Sequence, residues 1–60
     1  MPSDETQRLL KLFGVAMTNL EDAVDRKASV DEVVKHDMEL ADRTRDMIAY
    51  VTRLRSRRFN

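Results

Sequence analysis

The stretch DRKASVDE, residues 25–32, decides how this chain folds, because one helical pattern stops here and a new one starts. Its second half, SVDE, has the sequence of a capping box. In that motif Ser29 accepts a hydrogen bond from the backbone N–H of Glu32, and the Glu32 side chain reaches back to the Ser29 N–H. Ala28 and Val33 stand at the two positions of a hydrophobic staple. The stretch therefore predicts that one helix ends and another begins within a few residues.

The residues before this break predict a first helix near residues 4–26. Ser3 is the predicted N-cap, followed by Asp4 and Glu5, because the first N–H groups and the positive end of the helix dipole favour oxygen acceptors. Apolar residues then recur three and four positions apart, the spacing of one helix face. They are Leu9, Leu10, Leu12, Phe13, Ala16, Met17, Leu20, Ala23 and Val24.

The residues after the break predict a second helix near residues 30–58, which no proline interrupts. Its apolar residues are Val30, Val33, Val34, Met38, Leu40, Ala41, Met47, Ile48, Val51 and Leu54. So short a connection predicts an all-α, antiparallel two-helix hairpin that forms a single domain over residues 1–60. The turn contains no glycine, which commonly ends a helix in the left-handed conformation. One continuous bent helix in a longer coiled coil is therefore the alternative.

The size of the chain predicts that it needs a partner. An isolated chain of 60 residues buries little apolar surface, and such chains usually rely on disulfides, a metal or oligomerisation. The sequence contains no cysteine and one histidine, which excludes disulfides, thiolate metal sites and histidine-rich metal sites. Self-association or docking on another protein remains.

The apolar stripes are wider than a two-helix hairpin can cover. Leu9, Leu10, Leu12 and Phe13 alone span more than one narrow seam. The extra width predicts a further layer of helices, most simply a second copy that forms a four-helix bundle with two-fold symmetry. A different partner protein that completes the bundle is the alternative.

Charge is distributed unevenly along helix 2, although the chain as a whole has a net charge of zero. The first half is acidic and the second half basic. We therefore expect an antiparallel homodimer with a dyad near Thr44, in which Asp31 faces the Arg57 region of the partner. Each exposed pair is worth only roughly 0–1 kcal/mol, so the charges select an orientation more than they stabilise it. The same distribution also complements the helix dipole without any partner.

The sequence predicts a soluble, cytoplasmic protein that does not bind membranes. The first residues, MPSDETQ, are acidic and polar, unlike a secretory signal. The longest apolar run, LFGVAM, is too short to span a bilayer.

No residue pattern predicts catalysis, a cofactor or a metal site. Glu32 and Glu39 flank His36 at helical spacing, but this set lacks a third strong ligand, and a solvated or partly packed histidine is favoured. There is no glycine-rich phosphate loop, and two helices cannot assemble a Ser-His-Asp or Cys-His arrangement. We therefore expect a protein that is not an enzyme.

The predicted protein interface consists of Leu12, Phe13, Gly14, Val15, Met17, Met47, Val51 and Leu54. Gly14 costs on the order of 1 kcal/mol in a helix relative to alanine. With Thr18 it forms a pair of small residues that lets another helix approach closely; a tolerated surface glycine is the alternative. The methionines could form an adaptable partner surface, although plain core is their more common use.

The C-terminal stretch RLRSRRFN is the second candidate site. Its possible contacts with phosphate or an acidic partner are Arg53, Arg55, Arg57 and Arg58. Helical spacing spreads these side chains around the helix, and aromatic residues that could stack on bases are few. The favoured function is a small protein–protein interaction module, either a homodimeric bundle or a small subunit or regulator of a larger complex. The alternative is a small RNA- or DNA-binding regulator.

Overall fold

Two antiparallel helices form a hairpin in the computed structural model, which describes residues 2–59, with side chains up to Arg58. Helix α1 spans Asp4–Asp25 and helix α2 spans Val30–Phe59. Both agree with the predicted bounds to within one residue, and residues 2–59 contain no strand. The hairpin is elongated, with principal extents of 47 × 19 × 12 Å. Because the two helices pack against each other, the single bent helix is excluded.

Helix α1 begins at the predicted cap. Ser3 has an extended backbone, and its Oγ accepts a hydrogen bond of 3.1 Å from the Thr6 N–H. Asp4 and Glu5 occupy the first turn, where their charge favours the helix dipole.

Helix α1 ends in a Schellman motif that the sequence did not reveal. Lys27 takes the left-handed conformation, with φ of 55°. The Lys27 N–H donates to the Val24 carbonyl at 3.1 Å, and the Ala28 N–H donates to the Ala23 carbonyl at 2.9 Å. These two bonds satisfy carbonyl groups that the end of a helix leaves without partners. Lys27 therefore occupies the left-handed position after a helix that glycine usually takes.

Helix α2 begins with half of the predicted capping box. The Glu32 N–H donates to Ser29 Oγ at 3.2 Å, as expected. The reciprocal bond from the Ser29 N–H was predicted wrongly, because the Glu32 carboxylate binds Arg26 instead. Arg26 donates to both Glu32 oxygens, at 2.5 and 3.1 Å, and its Nε donates to Asp22 at 3.0 Å. This pairing joins the end of one helix to the start of the other.

The core between the helices is thin. Among the described residues, the buried hydrophobic side chains are Leu9, Ala16, Ala23 and Tyr50. They lie on a seam with alternating spacings of three and four residues, which the half-buried side chains of Phe13, Leu20, Val33, Leu40 and Met47 continue. Two positions of the α2 seam hold the half-buried polar residues His36 and Arg43. With so little buried apolar area, the hairpin alone gains little hydrophobic stabilisation.

Candidate protein interface

The two sides of the hairpin differ in chemistry. One side carries a groove with charged and amide groups in its lining, which we call the polar groove: Leu12, Val15, Ala16, Asn19, Glu39, Asp42 and Arg43. The other side carries the apolar groove, lined by Phe13, Thr44, Met47, Ile48, Val51, Thr52 and Arg55. Met47 and Val51 also line an adjoining hollow with Leu9, Leu10 and Leu54, so apolar surface continues toward the open end of the hairpin.

Exposed apolar side chains extend the apolar groove into a larger surface. On α1, Leu10, Met17 and Val24 are exposed and lie seven residues apart, which keeps them on one side of the helix pair. On α2, Val34, Ala41 and Ile48 have the same spacing, and all three are exposed. We call this surface the apolar face and define it as Leu10, Met17, Val24, Val30, Val34, Ala41, Ile48 and Val51.

The predicted interface residues are divided between the two sides. Met17 and Val51 belong to the apolar face, and Phe13 and Met47 lie half-buried in the groove beneath it. Leu54 lies in the hollow that adjoins the apolar groove, toward the open end of the hairpin. Leu12 and Val15 instead line the polar groove. Sequence reasoning omitted Leu10, Val24, Val34 and Ile48 from the interface, although their seven-residue spacing within each helix was a visible signal.

Gly14 makes no close contact within the hairpin. A Cβ atom added there would meet nothing within 4 Å, so the intrachain helix packing does not require glycine. The Thr18 hydroxyl donates to the Gly14 carbonyl at 2.8 Å, a local bond on the exposed surface of α1. The hairpin itself therefore contains no close approach at Gly14. A contact with another chain and a tolerated surface glycine both stay predictions.

A polar cluster joins the open ends of the helices. The Tyr50 hydroxyl lies 3.1 Å from Ser3 Oγ and 2.6 Å from Thr6 Oγ1. Hydrogen bonds with Ser3 and Thr6 lower the pKa of Tyr50. The Arg53 guanidinium lies 5.6 Å from the centre of the Tyr50 ring and donates to Glu5 at 2.7 Å. We call Ser3, Glu5, Thr6, Tyr50 and Arg53 the Tyr50 cluster.

The C-terminal arginines lie on different sides of α2, as their spacing predicted. Arg53 pairs with Glu5, and Arg57 lines a hollow beside the same Tyr50 cluster. Arg55 lines the apolar groove. Because Arg53 already lies beside the first turn of α1, the part of α2 beyond Arg53 extends past the start of α1. Arg55, Arg57 and Arg58 are on that exposed overhang.

His36 is partly packed in the seam. Its side chain is 17% exposed, and Nδ1 lies 3.8 Å from the Glu39 carboxylate, too far for a hydrogen bond. Glu32, the other flanking carboxylate, is bound to Arg26. Within the described part of the chain, no three histidine, cysteine or acidic side chains gather in a way that could hold a metal ion.

Comparison with protein families, with curated proteins and with solved structures finds no match to this chain. In residues 2–59, neither helix is long and apolar enough to cross a membrane.

Proposed function

We propose that this chain is a non-enzymatic protein–protein interaction module that joins a helical bundle through its apolar face. The proposal covers a homodimeric bundle and a small subunit or regulator of a larger complex, since both bury the same surface. The observation that carries it is the concentration of exposed aliphatic side chains on one side of the hairpin. Contiguous apolar surface of this kind marks sites of association in proteins that work in water.

The exposed area supports the same proposal. The chain exposes 5022 Å². A compact monomer of this length exposes roughly 4,000 Å², about 1,000 Å² less. A standard protein–protein interface takes about 800 Å² from each partner. If a partner covered the apolar face, the accessible surface area of this elongated hairpin would therefore be close to that of a compact monomer of the same length. We place the module in the cytoplasm, because a chain without cysteine suits a reducing compartment.

The arrangement of charged groups supports a role other than catalysis. The ion pairs join neighbours on the surface, such as Arg26 with Glu32 and Arg43 with Asp46, and both grooves are open to solvent. A proton-transfer site ordinarily needs titratable groups held together in a concave, partly dry site.

A matched pair of substitutions tests the proposal. Ile48, on the apolar face, is 60% exposed, and Val15, in the lining of the polar groove, is 51% exposed. Because both side chains are aliphatic and similarly exposed, Ile48→Glu and Val15→Glu impose similar costs on the isolated hairpin. We expect Ile48→Glu to abolish association, measured by native mass spectrometry of protein purified from its own host, and Val15→Glu to leave it intact. Equal behaviour of the two variants would refute the proposal.

A small RNA- or DNA-binding regulator is the second candidate, and the exposed overhang with Arg55, Arg57 and Arg58 favours it. Phosphate contacts from these residues would give binding that weakens steeply with salt. Arg53 pairs with Glu5. If this candidate is correct, Arg57→Glu lowers the affinity for single-stranded RNA in a fluorescence-polarisation titration, while Ile48→Glu does not.

A further inference from the structure

One continuous row of residues on α2 crosses the apolar face and carries opposite charges at its two ends. The row runs Asp37, Ala41, Thr44, Ile48, Val51, Arg55. Successive members are four or three positions apart, so all six lie along one side of the helix. Thr44, Ile48, Val51 and Arg55 together line the apolar groove. The acidic end lies toward the turn, and the basic end lies on the overhang.

We infer that this row packs against the same row of a second copy of the chain, with the two α2 helices antiparallel. The inference rests on the proposed interaction function and specifies its partner and geometry. The spacings in the row, four-three-four-three-four, read the same in both directions. Turning one copy over about a dyad midway between Thr44 and Ile48 therefore brings every member of the row opposite another member.

The pairs that this dyad creates are complementary in charge and in size. Asp37 faces Arg55 of the second copy at both ends of the contact. Between them Ala41 faces Val51, and Thr44 faces Ile48, so a smaller side chain always meets a larger one. Such alternation lets facing layers interdigitate at the density of a protein interior. A parallel arrangement would place Asp37 against Asp37 and Arg55 against Arg55, which is unfavourable at both ends.

The inferred dyad lies at a different position from the one that charge alone suggested. Asp31 and Arg57 were predicted to face each other about a dyad near Thr44. Arg57 lies beside Glu5 and the Tyr50 cluster, on the side away from the apolar groove, whereas Arg55 lines the groove. The basic member of the pair is therefore Arg55, which moves the dyad by about half a helical turn toward Ile48.

Charge reversal tests the energetics of the contact. Asp37→Arg and Arg55→Glu each replace two attractive contacts by two repulsive ones, so each raises the dimer dissociation constant about ten-fold in sedimentation equilibrium. The double variant restores attraction at both ends and returns the constant to near the wild-type value. The controls are Glu39→Arg, in the polar groove, and Lys35→Glu, one helical turn away on the same side; these leave dimerisation unchanged.

Cysteine crosslinking tests the orientation directly, because the chain contains no cysteine of its own. An equimolar mixture of Asp37→Cys and Arg55→Cys forms a disulfide-linked heterodimer under mild oxidation. Neither variant alone crosslinks, since equivalent positions in the dimer are about 27 Å apart along the helix axis. Rapid crosslinking of each variant with itself indicates parallel helices and overturns the inference.

The outcomes separate this inference from the proposed function. If Ile48→Glu disrupts the wild-type dimer but neither charge reversal weakens it, the antiparallel row is overturned. The proposed interaction function still stands in that case. A wild-type chain that stays monomeric at high micromolar concentration also overturns the inference. In that case, a host complex that Ile48→Glu disrupts and Val15→Glu does not still supports the interaction function.

Discussion

Tyr50 and Thr6 lie 2.6 Å apart through their side-chain oxygens, which ties the last third of α2 to the first turn of α1. The contact also sets the register of the hairpin, because Arg53, one turn further along α2, then meets Glu5. The open end of the molecule, far from the turn, is therefore held by polar contacts around one aromatic ring.

Removing the Tyr50 hydroxyl should weaken the hairpin without disturbing its packing. Tyr50→Phe keeps the ring in the seam but removes the hydrogen bonds that the Tyr50 hydroxyl makes with Ser3 and Thr6. We expect the melting temperature to fall by about 5 °C in circular dichroism at fixed protein concentration. Thr6→Val should lower the melting temperature by a similar amount. The double variant should lower it by less than the sum of the two single effects. Strict additivity would show that the two hydroxyls do not act together.

Glycine at the turn should stabilise the fold. Lys27 has φ of 55°, a conformation that costs a residue with a Cβ atom on the order of 1–2 kcal/mol. Lys27→Gly relieves that cost while making the unfolded chain more flexible, so we expect a net gain of about 1 kcal/mol in urea denaturation. Lys27→Val should be destabilising. Lys35→Gly, in the second turn of α2, serves as the control and should lose about 1 kcal/mol. A loss of stability in Lys27→Gly would contradict the observed turn.

Acid should loosen the turn through Glu32. Hydrogen bonds from Arg26 lower the pKa of the Glu32 carboxyl below its ordinary value. A carboxylate with a depressed folded-state pKa contributes stability above its unfolded pKa of about 4.3, and the contribution is lost as pH falls through the folded value. Glu32→Gln should therefore reduce the melting temperature near neutral pH and flatten its decline below about pH 4. Glu21→Gln, at an exposed carboxyl that does not pair with Arg26, should keep the wild-type acid dependence.

An apolar residue in place of His36 should strengthen the seam. The Nδ1 atom of His36 is buried without a hydrogen bond, and leaving a polar group in that state costs about 1–3 kcal/mol. His36→Leu should therefore raise the free energy of unfolding by about 1 kcal/mol, after allowance for the change in shape. The neighbouring exposed change, Lys35→Leu, should alter it much less. A destabilised His36→Leu would indicate that the imidazole has a favourable partner in solution.

Local chemistry was sufficient to predict the two helices, the Ser3 cap and the Ser29 cap. Helical periodicity and capping depend on residues within about one turn of each other, and these are adjacent in the sequence. The spread of the C-terminal arginines around α2 was predictable for the same reason. The wide apolar stripes also indicated, from spacing alone, that two helices leave apolar surface uncovered.

The tertiary structure decided which part of each stripe faces inward and which stays exposed. Leu9 and Leu10 are adjacent and chemically identical, yet the first is buried and the second is 53% exposed. Glu32 likewise pairs with Arg26 because the hairpin brings that guanidinium to it, in competition with the local capping bond. The register depends on contacts between residues distant in the chain, such as Thr6 with Tyr50, and the partner of Glu32 depends on the conformation of the turn. Both therefore follow from how the two helices are placed and not from the pattern of either helix alone.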